Sequence, residues 1–352
     1  MWRLIELLVS HPLNTIAFCY TFTVQFSVIL ARCLLLPHVH RYQSFRTLVQ
    51  RAYWSSAYGT FRQLIHRLPV VRCPETRARR VGSDWTGYII PGTKRLDNLP
   101  SAPADLVSCV AVYAHGGGYG FGEARMYLNY MDRFVSDAEK VGLDITFLSV
   151  EYPLTDVASH PAQQDAFLSA YRYLLRQGVP PTQIVFMGDS AGGGCCILSS
   201  LELQRQGLPQ PSANVLISPW FDMSLKSFEG GSAFTETDYI TQANFGVPVY
   251  ARKWIGSIPG DSPTVNPLFV DEDLLRTLPP TLVLAGGGDF VLPECRDLAR
   301  RFTAAGVRHE LIVEWGQLHL YALGSKWIDP RVREKTDTKI FEWVTKAIQG
   351  AE

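Results

Sequence analysis

The sequence feature that most constrains the fold is a glycine-rich segment between an apolar run and a stretch of helical spacing. The apolar run is Ile184-Val185-Phe186-Met187, and the segment after it is Gly188-Asp189-Ser190-Ala191-Gly192. A G-x-S-x-G segment in this setting is typical of a tight strand-to-helix turn that holds a serine hydroxyl out of a sheet. Glycine is required on either side because a side chain there would collide with neighbouring backbone. The pattern predicts a nucleophilic serine, Ser190, at the carboxyl end of a strand.

Beyond about residue 80 the chain alternates short β-rich apolar runs with longer stretches of helical spacing. This alternation predicts an α/β fold with a mostly parallel central sheet flanked by helices. Hydrophobic residues make up 47% of the 352 residues, enough for a substantial core in one large domain. The predicted strands are Val110–Ala114, Ile145–Val150, Ile184–Met187, Val215–Ser218, Leu282–Ala285 and Leu311–Glu314. The predicted helices lie near 124–140, 162–177, 191–206, 294–305 and 335–348.

Charge and cysteine usage narrow the function classes. Lys+Arg and Asp+Glu are equal at 33 each, so the formal net charge of zero gives no electrostatic reason to expect nucleic acid as a partner. The seven cysteines show no CxxC pair and no metal-ligand spacing. We therefore expect neither a disulfide framework nor a metal site.

The amino-terminal region contains a long uncharged stretch. Leu7 to Ala31 has no Asp, Glu, Lys or Arg, and it exceeds the ~20 residues that span a membrane. Polar residues and Pro12 interrupt it, so two hypotheses stay open: a membrane anchor through residues 13–36, or an amphipathic helix that covers the catalytic domain. An anchor predicts an endoplasmic-reticulum-like membrane, and a cap helix predicts the cytoplasm. By the positive-inside rule, an anchored catalytic domain would be cytosolic, because four arginines follow the stretch: Arg32, Arg41, Arg46 and Arg51.

Two regions interrupt the alternation and are predicted to form a cap. Residues 1–80 precede the first clear strand, and residues near 221–265 separate two core strands. Long insertions at the carboxyl ends of strands in an open α/β sheet usually shape the ligand pocket. We therefore divide the chain into an amino-terminal apolar segment and cap, 1–80, and a catalytic domain, 81–352, with a cap insertion. The insertion is rich in aromatic residues: Phe228, Phe234, Tyr239, Phe245, Tyr250 and Trp254.

A second glycine-rich loop, His115-Gly116-Gly117-Gly118-Tyr119-Gly120, follows the strand predicted to end at Ala114. Acyl transfer needs backbone N–H groups aimed at the developing oxyanion, and glycines let the backbone approach the substrate. The usual geometry of such a loop assigns these donors to Gly117, Gly118 and the N–H of Ala191, with Gly116 in the turn. A phosphate-binding loop is the alternative, but no Lys-Ser/Thr follows and the loop does not have the G-x-G-x-x-G form.

An acid and a histidine complete a predicted triad. Asp289 follows the run Leu282–Ala285 and three glycines, and His319 follows the run Leu311–Glu314. Where a serine occupies this kind of turn, the triad runs serine, acid, histidine along the chain. Asp289 is expected to orient the imidazole and stabilise its cation. His319 is expected to take the Ser190 proton and return it to the leaving group.

Other acids and histidines compete for these roles. Glu294 and Asp297 fall on the start of the next helix, where they suit the helix dipole, and Asp189 is better explained as a structural partner of the serine turn. His309 precedes its strand, at the opposite end of the sheet. The other histidines lie in the glycine loop, in the amino-terminal region or in a loop before a proline: His11, His38, His40, His66, His115 and His160.

With these residues in place, the chain resembles the hormone-sensitive lipase family of α/β-hydrolase esterases over roughly residues 108–325. The resemblance rests on HGGG at 115–118, GDSAGG at 188–193, Glu151-Tyr152-Pro153-Leu154, Ser218-Pro219-Trp220, and the settings of Asp289 and His319. Two segments depart from the family pattern and leave the pocket shape open. Tyr152-Pro153-Leu154-Thr155 stands where Y-R-L-A-P-E is usual, and Asp289-Phe290-Val291-Leu292-Pro293-Glu294 stands where D-P-L-x-D-E is usual.

The resemblance implies an α/β-hydrolase fold with a helical cap, and a cofactor-free hydrolase of short- to medium-chain esters of apolar alcohols. The amino terminus looks most like that of the steryl acetyl hydrolase branch, whose members are membrane-anchored deacetylases. An amidase such as an aryl formamidase stays open, because amides and esters pass through the same tetrahedral intermediate. So does a non-catalytic ligand-binding protein on this fold, although receptors of that kind lack the histidine that His319 supplies. Sequence leaves the oligomeric state undefined.

Overall fold

The computed structural model describes residues 2–35, 43–61, 73–96, 107–229, 237–241 and 246–350. The strands, in chain order, are β1 (Arg79–Val81), β2 (Thr86–Ile90), β3 (Val107–Ala114), β4 (Leu143–Glu151), β5 (Ile184–Asp189), β6 (Ala213–Ile217), β7 (Thr281–Gly286) and β8 (His309–Glu314). The helices are α1 (Trp2–Ser10), α2 (Pro12–Leu35), α3 (Phe45–Thr60), α4 (Leu128–Glu139), α5 (Ala162–Arg176), α6 (Ala191–Arg205), α7 (Lys226–Glu229), α8 (Val247–Ile255), α9 (Glu272–Leu275), α10 (Leu292–Ala305) and α11 (Pro330–Ile348). Short 3₁₀ helices cover Pro181–Gln183, Pro267–Phe269 and Tyr321–Leu323.

The strands form one sheet in the order β1-β2-β4-β3-β5-β6-β7-β8. β3 to β8 run parallel to one another, while β2 pairs antiparallel with β4 and β1 pairs antiparallel with β2. The register pairs Ala114 of β3 with Gly188 of β5, and Gly286 of β7 with Glu314 of β8. The loops that carry the predicted site residues therefore leave the sheet at one edge, where the parallel strands end.

Helices cover both faces of the sheet, which explains why its strands are continuous apolar runs. Successive side chains of a strand point to opposite faces, and β3 shows this division between two core clusters. Each large apolar side chain that is fully buried contributes roughly 1.5–3 kcal/mol to folding. One cluster takes Val110, Val112 and Ala114 of β3, and the other takes Cys109, Ala111 and Tyr113.

The predicted fold class is confirmed, and the six predicted strands correspond to β3 to β8 with shifted ends. The sequence pattern misses β1 and β2, because strands of three and five residues at the antiparallel end of the sheet carry little periodicity. The last helix begins at Pro330 rather than near 335, since the Asp329 side chain accepts from Arg331 N at 2.9 Å and caps it. Ser218 lies beyond β6, and His309 is the first residue of β8 rather than a residue before it.

The amino-terminal apolar stretch forms two helices. α1 ends at Ser10 and α2 begins at Pro12, consistent with the preference for proline in the first turn of a helix. α2 packs against Leu48 and Ala52 of α3 through Phe22, Phe26 and Ile29. Its other side is open to solvent and carries the exposed side chains of Leu13, Ile16, Tyr20, Val24, Val28, Leu34 and Leu35.

Among the described residues, one helix is long and apolar enough to cross a membrane, by length and composition. It covers Pro12–Arg32, and 6% of its most apolar window is buried in the protein. Leu36, the end of the predicted anchor, lies outside the described residues, as does Arg41. Arg51 does not belong with the basic residues that would flank a membrane, because its side chain is buried and Nε donates to the Asp238 carbonyl oxygen at 3.1 Å.

The region 221–265 contains α7, α8 and an intervening segment of which residues 237–241 are described. Phe234 and Phe245 of the predicted cap lie outside the described residues. Trp254 is buried and stacks on Tyr119, with ring centroids 4.2 Å apart, so this aromatic residue serves the core. Tyr250, by contrast, lines a pocket that contains Ser190.

Candidate active site

Ser190 occupies the turn between β5 and α6 with φ of 50° and ψ of −122°, a conformation that is uncommon for a residue other than glycine. Its N–H donates to Ile217 O at 2.9 Å, and its carbonyl oxygen accepts from Trp220 N at 2.9 Å. A Cβ at Gly188 would lie 2.5 Å from the Gly192 carbonyl oxygen. The predicted steric need for glycine beside the serine is thus met, and the end of β6 holds the strained turn in place.

His319 and Asp289 lie on the loops after β8 and β7, and His319 stands between Asp289 and Ser190. His319 Nε2 lies 3.1 Å from Ser190 Oγ, and His319 Nδ1 lies 2.9 Å from Asp289 Oδ1. All three side chains are buried, with exposed fractions of 7% for Ser190, 3% for His319 and 0% for Asp289. When Nδ1–H donates to the carboxylate, Nε2 is left as an acceptor for the serine hydroxyl. The three residues therefore form one hydrogen-bonded series.

The charge around His319 favours its protonated form. Burial lowers the pKa of His319, but the charge and hydrogen bond of Asp289, with smaller contributions from Asp238 and Asp189, outweigh it, and the net pKa is raised above 6.5. Such surroundings suit a base that carries a positive charge for part of a reaction.

The glycine loop bends sharply next to Ser190. Gly117 and Gly118 have φ of 113° and 60°, and the Gly117 carbonyl oxygen accepts from Gly120 N and Phe121 N, both at 3.1 Å. A Cβ at Gly117 would lie 2.4 Å from the Phe121 carbonyl oxygen, so this position requires glycine. Both glycines line the pocket that contains Ser190 and His319, and Ala191 is the first residue of α6. Three predicted N–H donors thus lie on segments that border the serine.

His115 and Asp189 support this loop from behind. His115 is fully buried and stacks on Tyr152 with ring centroids 4.1 Å apart. Burial lowers the pKa of His115 to about 4, so it is neutral at pH 7. Asp189 accepts from Tyr113 OH at 2.6 Å, Tyr127 OH at 2.9 Å and Gly116 N at 3.0 Å. Burial raises the pKa of Asp189 to about 6, although the hydrogen bonds from these three donors lower it. The bond to Gly116 N joins the serine turn to the glycine loop.

The competing acids have other partners. Glu294, in the first turn of α10, accepts from Phe221 N at 2.9 Å, and burial raises its pKa well above the usual value. Asp297 forms a surface ion pair with Arg300. His309 begins β8, whereas His319 follows the end of that strand. Of the remaining histidines, His38, His40 and His66 lie outside the described residues.

Two adjoining pockets meet at His319, Leu320, Gly117 and Tyr58. The pocket that contains Ser190 is the smaller of the two, with a cavity volume of about 40 Å³. Its other lining residues are Gly118, Trp220, Ile240, Val247, Tyr250 and Phe290. The second pocket has a cavity volume of about 90 Å³ and is lined further by Gln50, Trp54, Met126, Tyr127, Tyr239, Leu323 and Ser325.

Sequence reasoning missed Asp238, which is fully buried beside the triad. One oxygen of Asp238, one of Asp289 and a ring nitrogen of His319 lie within 4.8 Å of one another, close enough for a metal ion. These groups are already engaged: the ring nitrogens of His319 face Asp289 and Ser190, and Asp238 accepts backbone N–H bonds. No short motif carries Asp238, so its place depends on the fold of the insertion.

A family model described as the alpha/beta hydrolase fold matches residues 111–323. An esterase of Acinetobacter venetianus is 29% identical over 217 residues, which cover 61% of this chain and 68% of that protein. An acetyl-hydrolase of Streptomyces hygroscopicus is 28% identical over 262 residues, which cover 70% and 82%. The solved structure of an esterase from the bacterial hormone-sensitive lipase family is 26% identical, with a TM-score of 0.65, and covers 93% of this chain and 98% of that one. Because the family model spans more than half of the sequence, the chain belongs to the α/β-hydrolase family, among the esterases of the hormone-sensitive lipase type.

Proposed function

We propose that this protein, a carboxylic ester hydrolase by its family, uses Ser190 to cleave short acyl esters, acetates above all, of apolar alcohols. The observation that carries the proposal is the series from Ser190 Oγ through His319 to Asp289, with separations of 3.1 and 2.9 Å. The similarity to proteins named esterase and acetyl-hydrolase supports the ester chemistry and the preference for acetate.

In this mechanism His319 Nε2 takes the hydroxyl proton of Ser190 while Oγ bonds to the ester carbonyl carbon. The carbonyl oxygen becomes an oxyanion, which the N–H groups of Gly117, Gly118 and Ala191 stabilise. The tetrahedral intermediate then expels the alcohol, which takes the proton from His319 and leaves an acyl group on Oγ. Water repeats the steps on the acyl-enzyme, with His319 again as base, and a carboxylic acid is released.

The pocket walls suit an apolar substrate. Apolar side chains border Ser190 in the smaller pocket, which takes the short acyl group in this proposal. The larger neighbouring pocket, which includes Trp54 and Tyr58 of α3, takes the alcohol. α3 lines both pockets and α8 lines the smaller one, and in this proposal the two helices form the cap expected from residues 1–80 and 221–265.

α2 anchors the protein to a membrane in this proposal. The 21 residues of Pro12–Arg32 span about 30 Å at 1.5 Å per residue, the thickness of a hydrocarbon layer. Lipid around α2 would cover the large apolar side chains on its open side. α2 packs on α3, and α3 lines the larger pocket, so a lipophilic ester could pass from the bilayer to the site over a short path.

A fluorophosphonate probe tests the nucleophile. Labelling is expected at Ser190 and is expected to vanish in Ser190→Ala, with turnover of acetate esters faster than that of butyrate and longer esters. Labelling with turnover of anilides or formanilides but not esters would favour the amidase. Absence of both labelling and turnover in the folded protein would favour the ligand-binding protein and refute the proposed enzyme.

Flotation with phospholipid vesicles tests the anchor. Val24 is 41% exposed near the middle of α2, and arginine there costs about 2.5–3.5 kcal/mol in a membrane. Val24→Arg is expected to reduce flotation while activity on a soluble acetate ester is kept. Val157→Arg is the matched control, because Val157 is 82% exposed outside α2. Equal flotation of wild type and both variants would contradict an anchor through α2.

A further inference from the structure

Asp238 contacts the backbone of the two loops that carry Asp289 and His319. Its Oδ2 accepts from Phe290 N at 3.0 Å, and Phe290 directly follows Asp289. Its Oδ1 accepts from Tyr239 N at 2.7 Å and from His319 N at 3.4 Å. One buried carboxylate therefore joins the loop of the acid to the loop of the histidine.

We propose that Asp238 is a positioning residue that holds His319 against Asp289 and aims its ring at Ser190. The role rests on the proposed function, in which these three residues perform the chemistry. Among the residues that the structure describes, the Asp238 carboxylate accepts hydrogen bonds from backbone N–H groups, so it acts through the backbone of the loops. Because its two oxygens accept backbone N–H groups from both loops, the Asp238 carboxylate limits how far either loop can shift without leaving a buried donor unpaired, which is costly.

The segment around Asp238 is itself held from two sides. Arg51 Nε, on α3, donates to the Asp238 carbonyl oxygen at 3.1 Å, and Gln43 Nε2 donates to Thr237 O at 2.8 Å. Thr237 Oγ1 donates to Gly288 O at 3.2 Å, directly before Asp289. The amino-terminal part of the chain and the acid loop thus define the position of Asp238 together.

Asp238 also acts on His319 through charge. Burial raises the pKa of Asp238 to about 7 and the charge of Asp289 raises it too, while His319 and the backbone donors oppose the rise. In its ionised form Asp238 raises the pKa of His319. The other titratable groups that face this pair are Asp289, Asp189, Arg51, Tyr58 and Tyr239.

Steady-state kinetics of Asp238→Asn and Asp238→Ala across pH test the proposal. Asparagine keeps the shape and one acceptor, whereas alanine removes both acceptors. We expect kcat for an acetate ester to fall roughly tenfold or more in Asp238→Ala and less in Asp238→Asn, with KM within about twofold of wild type. The acid limb of kcat/KM should move to lower pH in both, because a negative charge beside His319 is lost.

Asp222→Asn is the matched control. Asp222 is a buried carboxylate that accepts from Ser224 and Asn266, residues outside the triad loops. We expect the acid limb of kcat/KM in Asp222→Asn to stay at the wild-type pH, even if the variant has a lower melting temperature. The control therefore distinguishes a positioning role from a general loss of stability. An acid limb that stays at the wild-type pH in both Asp238 variants, or a loss confined to KM, would overturn the proposal.

The pKa of His319 measured by NMR of its ring gives the same readout without turnover. We expect a lower value in Asp238→Asn than in wild type, and an equal value would overturn the charge effect. The proposed function fails by a different result, namely wild-type esterase activity in Ser190→Ala. Asp238→Asn is the variant to interpret if Asp238→Ala does not fold, since it preserves side-chain volume.

Discussion

Replacing Asp289 by asparagine removes the charge next to His319 at little steric cost. The carboxylate and the imidazole are 2.9 Å apart, both buried. At an effective dielectric constant near 20, a unit charge at that distance stabilises imidazolium by about 6 kcal/mol. Since each 1.36 kcal/mol changes a rate tenfold, we expect kcat to fall about 10⁴-fold. Loss of this size is also known for the acid-to-amide change in serine proteases.

The assay is kcat on a short acetate ester from pH 5 to 9 in Asp289→Asn and in the control Glu294→Gln. Glu294 is the other buried acid near this loop, and glutamine keeps an acceptor for Phe221 N. We expect Glu294→Gln to stay within about tenfold of wild type, because it does not contact His319. Asp289→Asn should lower kcat more than it raises KM. Retention of a tenth of wild-type kcat, or a larger loss in Glu294→Gln, would refute Asp289 as the acid.

Three further outcomes follow from the same geometry. Ser190→Ala should show no turnover above background and unfold at the wild-type temperature; residual activity near wild type would exclude this nucleophile. In wild type, kcat/KM should fall as pH drops through the raised pKa of His319, because the base must be neutral, with a midpoint above 6.5; a midpoint below 6.5 would mean that burial outweighs Asp289. Phe134→Ala should reduce the free energy of unfolding by about 3–5 kcal/mol in urea titration, since Phe134 is fully buried with its ring centroid 4.7 Å from that of Phe341. A change below about 1 kcal/mol would show that neighbouring side chains move in and fill the cavity left by the ring.

The fold class follows from local sequence patterns because a sheet buried on both faces leaves continuous apolar runs. The same holds for Ser190, Asp289 and His319, each of which lies a few residues after such a run, and parallel strands bring their carboxyl ends to one edge. The glycine loop was predictable because positive φ at Gly117 and Gly118 and close backbone approach demand glycine. Strands β1 and β2 were not predicted, because strands of so few residues show no clear period.

The sequence alone determined which loops could carry chemistry, since strand, turn and glycine signals are written within a few neighbouring residues. Only the tertiary structure decided what those loops meet. Asp238 and Arg51 are 187 positions apart, yet they are hydrogen-bonded, and Asp238 lies beside His319; no local pattern encodes a contact of that separation. Packing likewise decides which side of α2 is left open, because an apolar helix has the same sequence pattern whether protein or lipid covers it.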